Sequence, residues 1–177
     1  MFIVQFVVLV FFITLELVWL AMFVPVVIFK RVPFVPTPMP VAERLVALAE
    51  ITRGDVVYDI GAGDGRLVHI AARDYGARAT GFEIDPFVYL LARAREVFWK
   101  WKGRVRFGNF AKRDLSDADV VMCYMLPKVL ERYQAKFKKE LRRGTKIVSY
   151  AFDIKGWKPH RVIAREGRVD PIFVYVI

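Results

Sequence analysis

Val56-Val57-Tyr58-Asp59-Ile60-Gly61-Ala62-Gly63-Asp64-Gly65 is a β-rich apolar run that opens into three glycines at alternate positions. A second short stretch, residues 78–83, ends in an acid 24 residues after Asp59. Together they read as a nucleotide cradle. Glycines at a strand-to-helix turn let the backbone approach a ligand closely, and a carboxylate at the tip of the next strand can accept both hydroxyls of a ribose. The spacing Gly61-x-Gly63-x-Gly65 lacks the two-residue gap of a pyrophosphate loop, and Asp59 stands just before it. An acid there repels pyrophosphate and attracts an ammonium or a sulfonium. The expected ligand is S-adenosylmethionine, its methionine end near Asp59 and Gly61 and its ribose on Glu83. A nicotinamide or flavin site, or a tight turn with a solvated acid beyond it, are the alternatives.

Outward from this turn, periodicity and capping residues predict helices over residues 41–51, 66–75, 86–100 and 128–141. Strands are predicted over 55–60, 78–83, 105–108, 119–124 and 146–151. Such alternation, with near-continuously apolar strands, means a parallel sheet covered on both faces. Residues 161–164 and 172–177 flank Arg165-Glu166-Gly167 and read as an antiparallel hairpin that finishes the sheet. The fold class is therefore α/β, Rossmann-like and mostly parallel. Ligands of these sheets sit outside the carboxyl ends of the strands, where strand order reverses. Asp59, Glu83, Asn109 and Tyr124 all fall at or just past predicted strand ends.

The chain has 177 residues, room for one domain. Its single cysteine, Cys123, excludes an internal disulfide and suits a reducing compartment. Asn109 is its one asparagine, and Gln5 and Gln134 are its two glutamines, a scarcity that points to a thermophilic source.

From residue 2 to 29 the strongly polar side chains are Gln5 and Glu16, and lysine and arginine are absent. At about 1.5 Å per residue such a helix exceeds the ~30 Å hydrocarbon core of a bilayer. Residues 1–29 are accordingly read as a transmembrane anchor. A cleavable signal is disfavoured, because no basic segment precedes the run and no small-x-small site follows it. An ionised Glu16 would be costly at mid-membrane; protonation or a partner helix relieves that, and it reads either as a tolerated acid in a very apolar segment or as an oligomerisation or substrate contact within the bilayer.

All 28 basic residues lie at or after Lys30, so the positive-inside tendency puts the catalytic domain on the cytoplasmic side. Residues 30–177 carry those 28 bases and 17 of the 18 acids, a net of +11. The clusters at Lys100, Lys102, Arg104 and Arg106, and from Lys136 to Arg143, suit anionic headgroups, nucleic acid, acidic protein or solvent, with no RNA-binding module recognisable. Residues 30–40 form a connector stiffened by Pro33, Pro36, Pro38 and Pro40. It reads either as a spacer or as a strap folding over the cofactor through Phe34 and Thr37. Residues 41–177 are the remaining domain.

Pro33-Phe34-Val35-Pro36, the glycine motif with Arg66, Gly81-Phe82-Glu83 with Pro86, and Phe152 with Trp157-Lys158-Pro159 resemble the membrane-anchored seven-strand (class I) protein lysine N-methyltransferases. That family includes enzymes acting on the mitochondrial ATP synthase c-subunit and adenine nucleotide translocase, with archaeal relatives of broad substrate range. The layout of residues 119–150 is more distantly similar to the Dot-type histone lysine methyltransferases. The resemblance implies that Asp59, Gly61 and Gly63 hold the methionine end and Glu83 the ribose. It also implies that Asn109 meets the adenine and that Tyr124 faces the substrate. Thr37, Asp64 and Phe110 complete the cofactor-binding candidates, while Tyr124 and Phe34 are the candidates for an aromatic channel guiding a lysine.

His69 and His160 have no partner at metal-ligand spacing, and Cys123 reads as a small buried hydrophobe, so no metal is expected. The expected reaction is methyl transfer to a lysine of a membrane or membrane-proximal protein. Methylation of a lipid headgroup or other small amphiphile, and a non-catalytic assembly role, are the competing readings.

Overall fold

Apart from Met1 and residues 29–33, the backbone of the whole chain is described by the computed structural model, with side chains over 3–20 and 34–177. The predicted end of the anchor at Phe29, the Lys30 and Arg31 pair, and Val32-Pro33 of the connector lie outside the described residues. The chain divides into two units, residues 1–33 and 34–177.

The first unit carries the helix α1 (Phe2–Ile28), whose 18-residue stretch Ile3–Leu20 has a mean hydropathy of 2.5. It is long and apolar enough to cross a membrane by length and composition. The Thr14 hydroxyl donates to the Phe11 carbonyl at 2.8 Å, which satisfies it within the helix.

In the second unit, α2 (Met39–Leu48) starts with Pro40 in its first turn, where the missing N–H costs nothing, and buries Val41, Ala42, Leu45 and Val46. β1 (Val56–Ile60), α3 (Arg66–Asp74), β2 (Arg78–Glu83), α4 (Pro86–Phe98) and β3 (Arg104–Phe107) follow. β4 (Val120–Cys123), α5 (Pro127–Glu140), β5 (Lys146–Tyr150), β6 (Arg161–Ile163) and β7 (Ile172–Val176) complete it. The sheet order is β3-β2-β1-β4-β5-β7-β6. β3, β2, β1, β4 and β5 pair in parallel, while β7 runs antiparallel to both β5 and β6. The predicted hairpin is β6 and β7, joined near an isolated Glu166–Val169 bridge.

One core cluster lies between the sheet and α2, α3 and α4, centred on Leu45, Val57, Val68 and Ile70. A second lies on the α5 side, with Ile60, Leu130, Phe137 and Ile147. Asp85 caps α4, its carboxylate accepting the Phe87 and Val88 N–H at 2.9 and 3.2 Å. That helix ends two residues short of the predicted end, at Phe98, because Lys100 turns left-handed at φ 53°. Asn109 caps a single 3₁₀ turn, Phe110–Lys112, that the apolar pattern did not announce.

Candidate active site

After β1 the chain turns sharply at Gly61, whose N–H, with that of Ala62, donates to the Phe82 carbonyl at 2.9 and 3.0 Å. This pins the start of the turn to β2. Gly63 sits at φ 58°, and a Cβ built there would lie 2.6 Å from the Phe34 ring. A side chain is excluded twice, by conformation and by space. The residues from Phe34 to Pro38 therefore lie as a strap across the glycine turn. The Arg66 guanidinium ties it down by donating to the Thr37 carbonyl while pairing with Asp64. Thr37 is itself buried.

Glu83 closes the other side. One oxygen, Oε2, accepts the Gly63 N–H at 2.9 Å, and Oε1 accepts those of Ile84 and Asp85 at 2.8 Å each. Burial holds its carboxyl above the ordinary value, against the pull of those three donors. Oε1 is thereby filled, and Oε2 keeps lone-pair capacity for a further donor such as a hydroxyl.

Asp59 lies between them on β1, 2% exposed. Burial first, then repulsion from Glu83 and Asp64, pushes its carboxyl up to about 8. Its Oδ2 is buried with no hydrogen-bond partner, the one such side-chain atom among the described residues. A buried acceptor left unpaired is costly, and the methionine ammonium of S-adenosylmethionine has the charge and the donors to answer it. The residues present thus fit that cofactor.

Asp64 is equally buried, but its carboxylate is taken by Arg66 and by Arg95, the latter at 3.1 Å. Arg95 lies 4.7 Å from the Trp101 ring centre. The Asn109 Oδ1 accepts the Ala111 N–H at 2.9 Å, which leaves its NH₂ as the free donor. The Phe110 ring is buried edge-on to Tyr133, with centroids 4.6 Å apart, so the ring serves the core.

At the ends of β4 and β5 stands an aromatic group that the sequence pattern did not assemble. Tyr124 lies edge-on to Tyr150 at 4.8 Å and stacks on Phe152 at 6.2 Å. Burial, Tyr150 and Asp170 hold the Tyr124 hydroxyl above its ordinary value, so it stays protonated at neutral pH. Between Tyr150 and Phe152, Ala151 adopts φ 66°, a strained value for a residue with a Cβ. The Ser149 hydroxyl holds that bend by donating to the Phe152 carbonyl at 2.6 Å. Tyr150 was findable from its place at a strand's carboxyl end; Phe152 needed the bend.

The other titratable candidates have structural employment. His69 accepts the Lys102 N–H at 2.8 Å through Nδ1 and stacks on Trp101 at 4.6 Å, and burial lowers its pKa. Cys123 is buried, its thiol pushed up to about 12. Among the described residues no three His, Cys, Asp or Glu side chains could together hold a metal ion.

The sequence profile of the ANTKMT methyltransferase domain matches residues 59–161. The chain is 38% identical over 152 residues to a protein-lysine N-methyltransferase of Saccharolobus islandicus (strain REY15A), covering 83% of this chain and 94% of that one. It is 30% identical over 145 residues to the human ATP synthase c-subunit lysine N-methyltransferase, of which it spans 60%. Against the mouse adenine nucleotide translocase lysine N-methyltransferase the values are 32% over 148 residues and 63%. Among solved structures, an RNA methyltransferase from Salinibacter ruber in complex with S-adenosyl-L-homocysteine superposes with a TM-score of 0.74 at 41% identity, over 81% of this chain and 94% of that one.

Proposed function

The chain belongs to the ANTKMT methyltransferase domain family and is an S-adenosylmethionine-dependent methyltransferase, and we propose that it methylates a lysine of a membrane or membrane-proximal protein while tethered by α1. The observation that carries the lysine assignment is the aromatic group at the carboxyl ends of β4 and β5, with Tyr124 and Phe152 half-buried and Tyr150 buried. It stands beside the strand that bears Asp59. The human, mouse and archaeal relatives, all named as lysine methyltransferases, support the same reading.

In this reading Asp59 receives the methionine ammonium, Gly61 and Gly63 give the backbone clearance, and Glu83 accepts a ribose hydroxyl. The Asn109 amide meets the adenine, and Asp64 keeps the turn in shape through Arg66 and Arg95. When bound, the cofactor supplies an electrophilic methyl carbon. The amine lone pair forms the new C–N bond while the C–S electron pair leaves with sulfur, as S-adenosylhomocysteine.

The nucleophile must be a neutral amine. Deprotonating a lysine of pKa ~10.4 at pH 7 costs about 4.6 kcal/mol. Aromatic walls lower that cost by desolvating the ammonium, and their faces guide it inward by cation–π attraction. The proton leaves to water, and the protonated Tyr124 is not a base for it. Phe34 and Thr37 cover the turn and exclude water from the cofactor side.

The tether reading rests on the length and hydropathy of α1, and the cytoplasmic placement on the basic residues that follow it. Tethering raises the effective concentration of membrane-resident substrates without any new contact.

A second substrate class is favoured by one observation, the 41% identity to the Salinibacter ruber RNA methyltransferase, in a chain with net charge +10. One experiment separates the two. The full chain is incubated with tritiated S-adenosylmethionine, membranes and total RNA, with an Asp59→Asn variant as control. Asp59-dependent label on a protein lysine, located by mass spectrometry, supports the proposal; label in RNA or lipid alone refutes it.

A further inference from the structure

On its buried side α4 packs Val88 and Ala92 against the sheet, but its outer side carries Phe87, Leu90, Leu91, Val97 and Phe98, all exposed. At 100° per residue these fall within an arc of about 120°, an apolar stripe of the kind that normally faces a core. Here nothing in the second unit covers it. The stripe ends in Phe98 and Trp99, which are 77% and 66% exposed and touch edge to face. Directly after it come Lys100, Lys102, Arg104 and Arg106, all exposed and in no ion pair among the described residues. β3 is the edge strand, and it stays beside α4 through the Phe107–Tyr89 contact at 5.5 Å. Val105 packs in the α4-side cluster with Ala92, and Phe107 meets Tyr89, so strand alternation turns Arg104 and Arg106 to the opposite face of the sheet and leaves Lys100 and Lys102 as the cations next to the stripe.

We propose that the outer face of α4 is a docking surface for an anionic bilayer, the stripe entering the headgroup boundary and Lys100 and Lys102 meeting lipid phosphates. Aromatic side chains at the end of an apolar helical face, flanked by lysines, have the composition of an interfacial helix. Anionic lipid supplies the charge complement that Lys100 and Lys102 lack. Leu90, Leu91 and Val97 offer RNA no stacking surface. A second copy packed about a two-fold axis would bring the cations against themselves. The proposal extends the tethered reading: α1 would hold the chain at a membrane, whereas this face would orient the domain on it.

The test uses the full chain with a nitroxide at position 98 (Phe98→Cys), or at position 139 on α5 (Lys139→Cys) as control. Cys123 is buried and its thiol raised, so it does not compete for the label. Spectra are compared in vesicles of phosphatidylcholine alone and of phosphatidylcholine with phosphatidylglycerol. The expected result is that collision with an aqueous nickel reagent falls at least about threefold at position 98 in the anionic vesicles only. Position 139 should stay unchanged, and the protection should disappear in a Lys100→Glu/Lys102→Glu background.

Equal aqueous exposure of positions 98 and 139 in both lipids overturns the proposal. So does dipolar broadening at 98 without anionic lipid, which identifies a second copy, or immobilisation only on adding RNA. Carbonate extraction of the same vesicles reports α1 separately. A chain that is extracted, yet shielded at 98 before extraction, would refute the tether and leave this surface standing. A retained chain with position 98 in water would do the reverse.

Discussion

The Gly63 N–H donates to Glu83 Oε2 at 2.9 Å, so the middle of the glycine turn and the acid at the tip of β2 form one rigid unit. Glu83→Gln tests that unit more sharply than alanine. Its amide nitrogen must face either the Gly63 N–H or those of Ile84 and Asp85, leaving a donor against a donor. We expect a loss of about 2–3 kcal/mol in S-adenosylhomocysteine affinity, read by calorimetry. Affinity equal to that of the parent would remove Glu83 from the site.

The raised carboxyl of Asp59 makes cofactor binding depend on pH. An ammonium is answered by the carboxylate form, so affinity should rise with pH up to about 8 and then level off, with proton release on binding below it. Calorimetry in buffers of different ionisation enthalpy detects that proton, and the Asp59→Asn variant should release none. A flat affinity profile between pH 6 and 8 would contradict the assignment.

Stability carries the opposite sign. The carboxyl titrates at about 8 when folded and near its ordinary 3.8 when unfolded, so the folded chain binds the extra proton in that window. Stability then falls as pH rises through it. Thermal melts of Asp59→Asn should lose this slope and, at the alkaline end, show a higher melting temperature than the parent.

Gly63→Ala should destabilise the turn by about 2 kcal/mol or more, since it combines a left-handed φ with a contact on the Phe34 ring. The steric part should be recovered in Gly63→Ala/Phe34→Ala. Strict additivity of the two changes in a double-mutant cycle of melting temperatures would mean that the strap does not rest on the turn.

Tyr124→Phe keeps the ring and removes a hydroxyl assigned no proton transfer, so kcat should change by less than about threefold. Tyr124→Ala opens the wall against Tyr150 and Phe152. It should lower kcat/KM for the lysine substrate by about tenfold or more while leaving cofactor affinity unchanged. A large loss in Tyr124→Phe alone would give the hydroxyl a role in the chemistry.

Much of this was legible because the local rules are short-ranged. Asp85-Pro86 announces the start of α4, and the alternate glycines announce the turn, each within a few residues. Even Tyr58 and Asp59, adjacent in sequence, divide between two faces by simple strand alternation. What escaped was relational. The commitment of Asp64 to Arg66 and Arg95, the orphaned oxygen of Asp59, and the meeting of Tyr124 with Tyr150 and Phe152 all depend on which strands become neighbours. Nothing in the spacing of β1 and β4 says that Ile60 will stand beside Cys123. The 3₁₀ turn at Phe110 and the left-handed bends at Lys100 and Ala151 were missed for another reason: each breaks a local preference that long-range packing overrides.

The placement of β7 between β5 and β6 bears on the order in which the protein can be made. Residues 172–176 are synthesised after every other strand, yet they are the sole bridge between β6 and the rest of the sheet. Until residues 172–176 pair, the five parallel strands form a sheet with an open flank at β5, a template for wrong pairing. Completion must wait for the last strand to emerge and thread between its neighbours. The pairing of β7 thereby becomes the step at which this sheet is either closed or left open.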